Sequence, residues 1–153
     1  MRATPPLALL LGLALFGGPL TGCDGNGPAC SSNTDTFSTE DVTPAGTTLG
    51  PAISTGDCVS VTYEGRLNGT GELFDEGGFS FIYASNASLI PGFILGMSEQ
   101  QVNETRRVVI PPDLGYGEQS LDGRNGNAGI PSCSTLRFDI TVTEINQDPR
   151  LCR

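Results

Sequence analysis

The chain has 153 residues, five cysteines, and a net charge of −9 from 17 acidic and 8 basic side chains; the basic ones are all arginine, and His, Lys and Trp are absent. Without His, a Ser-His-Asp or Cys-His nucleophile and a His-ligated metal are excluded; without Lys, so are a Schiff-base amine and a Walker-type phosphate loop. A pI near 4.2 argues against a nucleic-acid partner, whose phosphates are met by Lys and Arg.

In chain order, residues 1–22 read as an export signal. Arg2 supplies the positive start, and Pro6 to Leu20 is apolar or small throughout. That run is shorter than the roughly 20 apolar residues of a bilayer span. It ends Leu20-Thr21-Gly22-Cys23, which resembles the bacterial lipobox. The resemblance implies cleavage before Cys23, lipidation of its thiol, and an exported protein anchored in the bacterial cell envelope, on its periplasmic face or at the cell surface. With about 0.8 kcal/mol per buried methylene, a multiply acylated Cys23 is a stable anchor. Residues 23–36 are polar and Gly-rich and read as a flexible tether. One domain over 37–147 and a short tail over 148–153 follow. With Cys23 lipidated, Cys30, Cys58, Cys133 and Cys152 remain. An even number in an exported domain predicts two disulfides, with three pairings open.

Within the domain the signal is period-2 alternation. Val59, Val61, Tyr63 and Leu67 alternate with Ser60, Thr62, Glu64 and Arg66. Phe79, Phe81 and Tyr83 repeat the pattern, as do Leu136, Phe138, Ile140 and Val142; Arg106 to Ile110 is a further short strand. Turn signals stand at Asn68-Gly69, Gly77-Gly78, Pro111-Pro112 and Asp122-Gly123. One apolar face per run predicts an antiparallel sheet covered on one side. The stretch Leu89 to Met97 is apolar without alternation; Pro91 suits the first turn of a helix and Gly96 lies near its end. The fold class expected is α+β, a twisted antiparallel sheet with one short helix.

These motifs, taken in order, resemble FKBP-type peptidyl-prolyl cis-trans isomerases over about Phe37 to Asn146. The carrying residues are Val59-x-Val61-x-Tyr63-x-Gly65, Phe74-Asp75, Phe79-x-Phe81 and Leu89-Ile90-Pro91-Gly92-Phe93, then Ile110 to Gly117, Gly129-Ile130-Pro131 and Thr135 to Asp139. The resemblance implies a strongly twisted antiparallel sheet wrapped around one short helix, and an aromatic pocket between them. By motif position it implies catalytic roles for Tyr63, Phe74, Asp75, Ile90, Phe93, Tyr116 and Phe138. Phe79, Leu89 and Ile130 would complete the substrate-binding wall. The Ile90 backbone N–H and the Tyr116 hydroxyl would donate to substrate or macrolide carbonyls. Phe81, Leu136 and Ile140 read as plain core.

The implied partners are proline-containing polypeptides, rapamycin-class macrolides and, through lipid on Cys23, a membrane. No metal or cofactor is implied, and the domain is expected to act as a monomer. The inventory suits the reaction. Rotation about a peptide bond faces a barrier of about 18–20 kcal/mol, and a pocket that binds the twisted amide best lowers it without covalent chemistry. The same pocket without turnover would be a non-catalytic module that binds proline-containing segments.

Several positions depart from the family pattern. Phe93 stands where a Trp is usual. The link from Asp75 to Phe79 is only Glu76-Gly77-Gly78, without the Arg that often pairs the Asp. Ile130-Pro131-Ser132 replaces Ile-Pro-Pro, and polar Gln100 stands near a usual Met. The loop from Gly117 to Ile130 is long and rich in Gly and Asn. The family topology implies the pairings Cys30–Cys133 and Cys58–Cys152, with Cys58 on the outward parity of its strand.

Overall fold

The structure, a computed structural model, describes residues 30–84, 88–148, 150 and 152. The expected signal segment and Cys23 lie outside the described residues. Five strands form one antiparallel sheet: β1 (Ser38–Asp41), β2 (Cys58–Leu67), β3 (Leu73–Ile82), β4 (Thr105–Ile110) and β5 (Leu136–Asn146), in the spatial order β1-β4-β5-β2-β3. The helix α1 (Pro91–Gly96) and a 3₁₀ turn (Pro112–Leu114) complete the regular elements among the described residues.

The alternation dictates which face is covered. Val59, Val61, Val108, Ile110, Leu136, Ile140 and Val142 are each at most 2% exposed and form the inner face. β5 pairs with both β2 and β4 and carries the most regular buried pattern. The intervening polar residues form cross-strand pairs on the open face. Arg107 meets Asp139 through two hydrogen bonds of 2.8 Å, and the Thr105 and Thr141 hydroxyls lie 2.7 Å apart.

A helix of six residues is unstable alone and holds through packing. Pro91 occupies its first turn, where the missing N–H costs nothing. Gly92 and Gly96 let its backbone lie directly on β4. A Cβ on Gly92 would collide with Ile110, and one on Gly96 would come within 2.6 Å of Val108. Arg106 closes the other end, its Nη1 donating to the carbonyls of Gly96 (3.1 Å) and Ser98 (2.7 Å), where a cation also complements the helix dipole. Gln100, just beyond, is fully buried; its Nε2 donates to the carbonyls of Glu104 (3.0 Å) and Ile140 (2.7 Å). This polar residue therefore ties the helix segment to β5, which an apolar side chain there cannot do.

Several expectations change. Gly77-Gly78 is no turn: β3 runs unbroken from Leu73 to Ile82. β1 was invisible to periodicity because Ser38 to Asp41 are all exposed and polar. Phe81 is only half-buried. Cys58 stands on the parity opposite to Val59 and Val61, yet it is 4% exposed, with its sulfur bonded to Cys152 of the tail. The sulfurs are joined Cys30–Cys133 and Cys58–Cys152, closing sequence separations of 103 and 94 residues. Cross-links over such long loops contribute on the order of a few kcal/mol each.

Candidate active site

A cavity of about 170 Å³ lies between α1 and the inner face of the sheet, lined by Tyr63, Phe74, Asp75, Phe79, Ser88, Leu89, Ile90, Phe93, Tyr116 and Phe138. Nine of the ten residues that the sequence assigns to the site therefore converge on it. The tenth, Ile130, does not. It is buried to 6% exposure in a neighbouring groove of about 780 Å³ that shares Phe74, Asp75 and Tyr116 with the cavity. The reason is topological: Ile130 pairs backbone-to-backbone with Leu121 at 2.8 Å in both directions. It thereby closes the base of the long loop, away from the pocket wall. Ser88 is the lining residue that sequence reading missed; its only signal was adjacency to Leu89.

The floor is aromatic and orthogonally packed. The ring of Phe93, 3% exposed, lies 5.3 Å from Phe138 at 85° and 6.1 Å from Tyr63 at 87°. Phe74 meets Phe138 at 5.4 Å and 86°. Edge-to-face pairs of this kind each add about 0.5–1.5 kcal/mol beyond burial. Two glycines create the space. A Cβ on Gly65 would stand 2.7 Å from Phe74 and 2.8 Å from Phe138, so only glycine admits both rings above β2. Gly77 is the strand partner of Tyr63 and leaves the wall beside that ring open.

The polar groups divide into two sets. Tyr63 Oη donates to Asp75 Oδ2 at 2.8 Å. Burial first, then this bond and the charge of Asp75, push the Tyr63 phenol up to about 12. Burial, then the charge of Asp75, also raises the Tyr116 phenol. The Tyr116 hydroxyl has no hydrogen-bond partner among the described residues, and neither has the Ile90 N–H. Ile90 caps α1 in extended conformation, φ −60° and ψ 140°, and accepts from Phe93 N–H at 3.0 Å. Tyr116 sits in a tight turn in which the N–H groups of Gly115 and Gly117 both donate to Pro112 O, at 3.1 and 2.9 Å. The site thus offers an apolar, aromatic hollow, one tethered carboxylate and two uncommitted donors.

Comparison with known proteins gives a consistent picture. The family model described as FKBP-type peptidyl-prolyl cis-trans isomerase matches residues 50–143. FK506-binding protein 3 of Debaryomyces hansenii is 37% identical over 99 residues, 63% of this chain and 21% of that protein. Among solved structures, FkpA from Escherichia coli aligns with a TM-score of 0.55 and 31% identity, over 72% of this chain and 48% of that one. A peptidyl-prolyl cis-trans isomerase from Pseudomonas syringae pv. tomato aligns with a TM-score of 0.55 and 27% identity, over 80% and 85%. This chain spans between about a fifth and about half of the length of the curated relatives it matches, from 19% to 55%.

Proposed function

The chain belongs to the FKBP-type peptidyl-prolyl cis-trans isomerase family, and on that premise we propose that its pocket accelerates rotation about Xaa-Pro bonds in exported proteins. The observation that carries the reading is the pair of donors uncommitted among the described residues, Tyr116 Oη and Ile90 N–H, at a hollow walled by Phe74, Phe93 and Phe138. Uncatalysed isomerisation takes tens to hundreds of seconds. Resonance holds the planar amide polar; the twisted amide is less conjugated and less dipolar. An apolar hollow that excludes water favours it over either planar form, which is differential transition-state binding. The two donors hold neighbouring substrate carbonyls and fix the orientation of the chain about the rotating bond. An acceleration of a millionfold requires about 8 kcal/mol, and no covalent intermediate, metal or cofactor takes part.

The test is a protease-coupled isomerisation assay on Xaa-Pro peptides, with Tyr116→Phe, Asp75→Ala and Phe138→Ala alongside the unaltered chain. The unaltered chain should exceed background and each variant should be slower with its fold retained. Equal rates for all four would sink the site assignment. No rate above background, with macrolide binding retained, would make the domain a non-catalytic module for proline-containing segments. Titration with a rapamycin-class macrolide supplies that second readout.

The same reading places the protein in the cell envelope. Support comes from the signal-like segment and from Leu20-Thr21-Gly22-Cys23. Labelled palmitate should enter the chain in a bacterial host and be lost on Cys23→Ser; labelling that persists would refute the anchor.

A further inference from the structure

We propose that residues 30–36, upstream of the span matched to the family, act as a positioning strap for Tyr116, with Cys30, Asn33 and Cys133 as its fastenings. The kinetic consequence rests on the isomerase reading; the structural one does not.

Tyr116 belongs to no strand or helix, so its place depends on its turn. The N–H groups on either side are held by Pro112 O, and Tyr116 O accepts from Gln119 N–H at 3.1 Å. The carbonyl of Gly117, the next residue, accepts from Cys133 N–H at 2.8 Å. Cys133 has φ +58°, the left-handed region that a side chain with a Cβ adopts only where its surroundings over-determine it. They do so here from three directions. Its N–H is given to Gly117, its sulfur is bonded to Cys30, and its carbonyl accepts from Asn33 Nδ2 at 3.1 Å. Asn33 in turn donates to Thr135 Oγ1 at 2.9 Å, and its Oδ1 accepts from Asp35 N–H at 3.0 Å. Thr135 is 6% exposed and adjoins Leu136, the fully buried first residue of β5. The strap is therefore fastened to the root of the central strand and, through Cys133, to the carbonyl beside Tyr116.

Two of the three fastenings, Cys30 and Asn33, precede residue 50, where the family match begins. The other disulfide provides an internal control. Cys58 opens β2, five positions before Tyr63, opposite Ile82 and Asn146, and no pocket residue bonds to it. Both bridges constrain the unfolded chain similarly, but only Cys30–Cys133 leads to the Tyr116 turn.

The experiment uses the full chain with Cys30→Ser/Cys133→Ser, Asn33→Ala, Asn33→Asp and the control Cys58→Ser/Cys152→Ser. Hydrogen exchange is followed at the Gly117 and Gln119 amides and, for comparison, at Ile140 and Val142. Asn33→Asp keeps an acceptor for the Thr135 hydroxyl and for Asp35 N–H but loses both Nδ2 donations, to Cys133 O and to Thr135 Oγ1, so it should behave as Asn33→Ala does. In all three strap variants the two loop amides should exchange about tenfold faster with the β5 amides unchanged. The value of kcat/KM on Xaa-Pro peptides should fall about ten- to a hundredfold. The control should leave both readouts close to wild type. Loop exchange no faster than in the control, or a rise shared equally by Ile140 and Val142, would overturn the proposal. If the unaltered chain does not isomerise peptides, the isomerase reading fails, and exchange alone decides the strap.

Discussion

Asp75 is held by Tyr63: the phenol on β2 donates to the carboxylate on β3 at 2.8 Å. The Arg that often pairs this carboxylate is missing from the short Glu76-Gly77-Gly78 link, and a neighbouring strand does the holding instead. Tyr63 also packs edge-on to Phe79 at 5.6 Å, so one side chain builds the wall and orients the rim.

Tyr63→Phe separates those two tasks, since it keeps the ring and deletes the donor. A hydrogen bond to a charged group is worth about 1.5–3 kcal/mol, reduced here because Asp75 is exposed. The expected result is a loss of kcat/KM of roughly tenfold with the midpoint of urea unfolding little changed. An unchanged rate would show that the orientation of Asp75 is irrelevant to turnover.

The three tyrosines predict the alkaline limit of stability. Tyr63, Tyr83 and Tyr116 are all raised from 10.0, with burial as the leading cause, and Tyr63 reaches about 12. In the unfolded chain they ionise near 10, so between 10 and about 12 the unfolded state binds fewer protons than the folded one. Stability is therefore full below pH 10 and falls as pH rises through that window. Spectrophotometric titration of the folded protein should show every phenol ionising above its free value, with Tyr63 last. Tyr63→Phe should remove the highest step; a highest step that survives would mean it belongs to another tyrosine.

Gly65→Ala should injure the site more than the fold. The added Cβ meets Phe74 and Phe138 at 2.7–2.8 Å, and neither ring can retreat into the sheet behind it. The rings must swing into the cavity, so macrolide affinity and kcat/KM should fall together. Overpacking of this kind costs about 1–3 kcal/mol, measurable as a lower urea midpoint. Undiminished macrolide binding would contradict the geometry.

Gly92→Ala sets helix propensity against packing. Alanine favours the helix by about 1 kcal/mol, yet its Cβ would collide with Ile110, which is 0% exposed and has nowhere to move. Packing wins, and a net loss of about 1–2 kcal/mol is expected in a urea or thermal melt. A gain in stability would show that α1 does not rest on β4 as closely as described.

Much of this architecture was legible because burial leaves a periodic trace. The inner-face residues of β2 and β5 declare themselves by alternation, β4 reads only as a short strand, and Pro91 and Gly96 bracket the helix. β1 leaves no trace, since Ser38 to Asp41 contribute backbone pairing to Val109 through Arg106 and no buried side chain. Gly77-Gly78 misleads for a different reason. Glycine marks turns by its backbone freedom, but here its missing side chain is what counts, beside Tyr63. The site residues were legible through motif order, yet their conduct was not. Neither the tie between Tyr63 and Asp75 nor the fastening of Cys133 by Asn33 follows from spacing, because each joins residues whose proximity is set by the fold. Gln100 looked anomalous in one dimension and is a buried crosslink in three.

Arg124 stands in the exposed stretch between Gly117 and Ile130, where a trypsin-like protease would cut. That cut separates residues 1–124, which hold Cys30 and Cys58, from residues 125–153, which hold Cys133 and Cys152. Both sulfur bridges cross it. The smaller piece would carry the whole of β5, the strand seated between β4 and β2, and would remain attached at two points. A nicked molecule would therefore migrate as one species until reduced, with its central strand still in place.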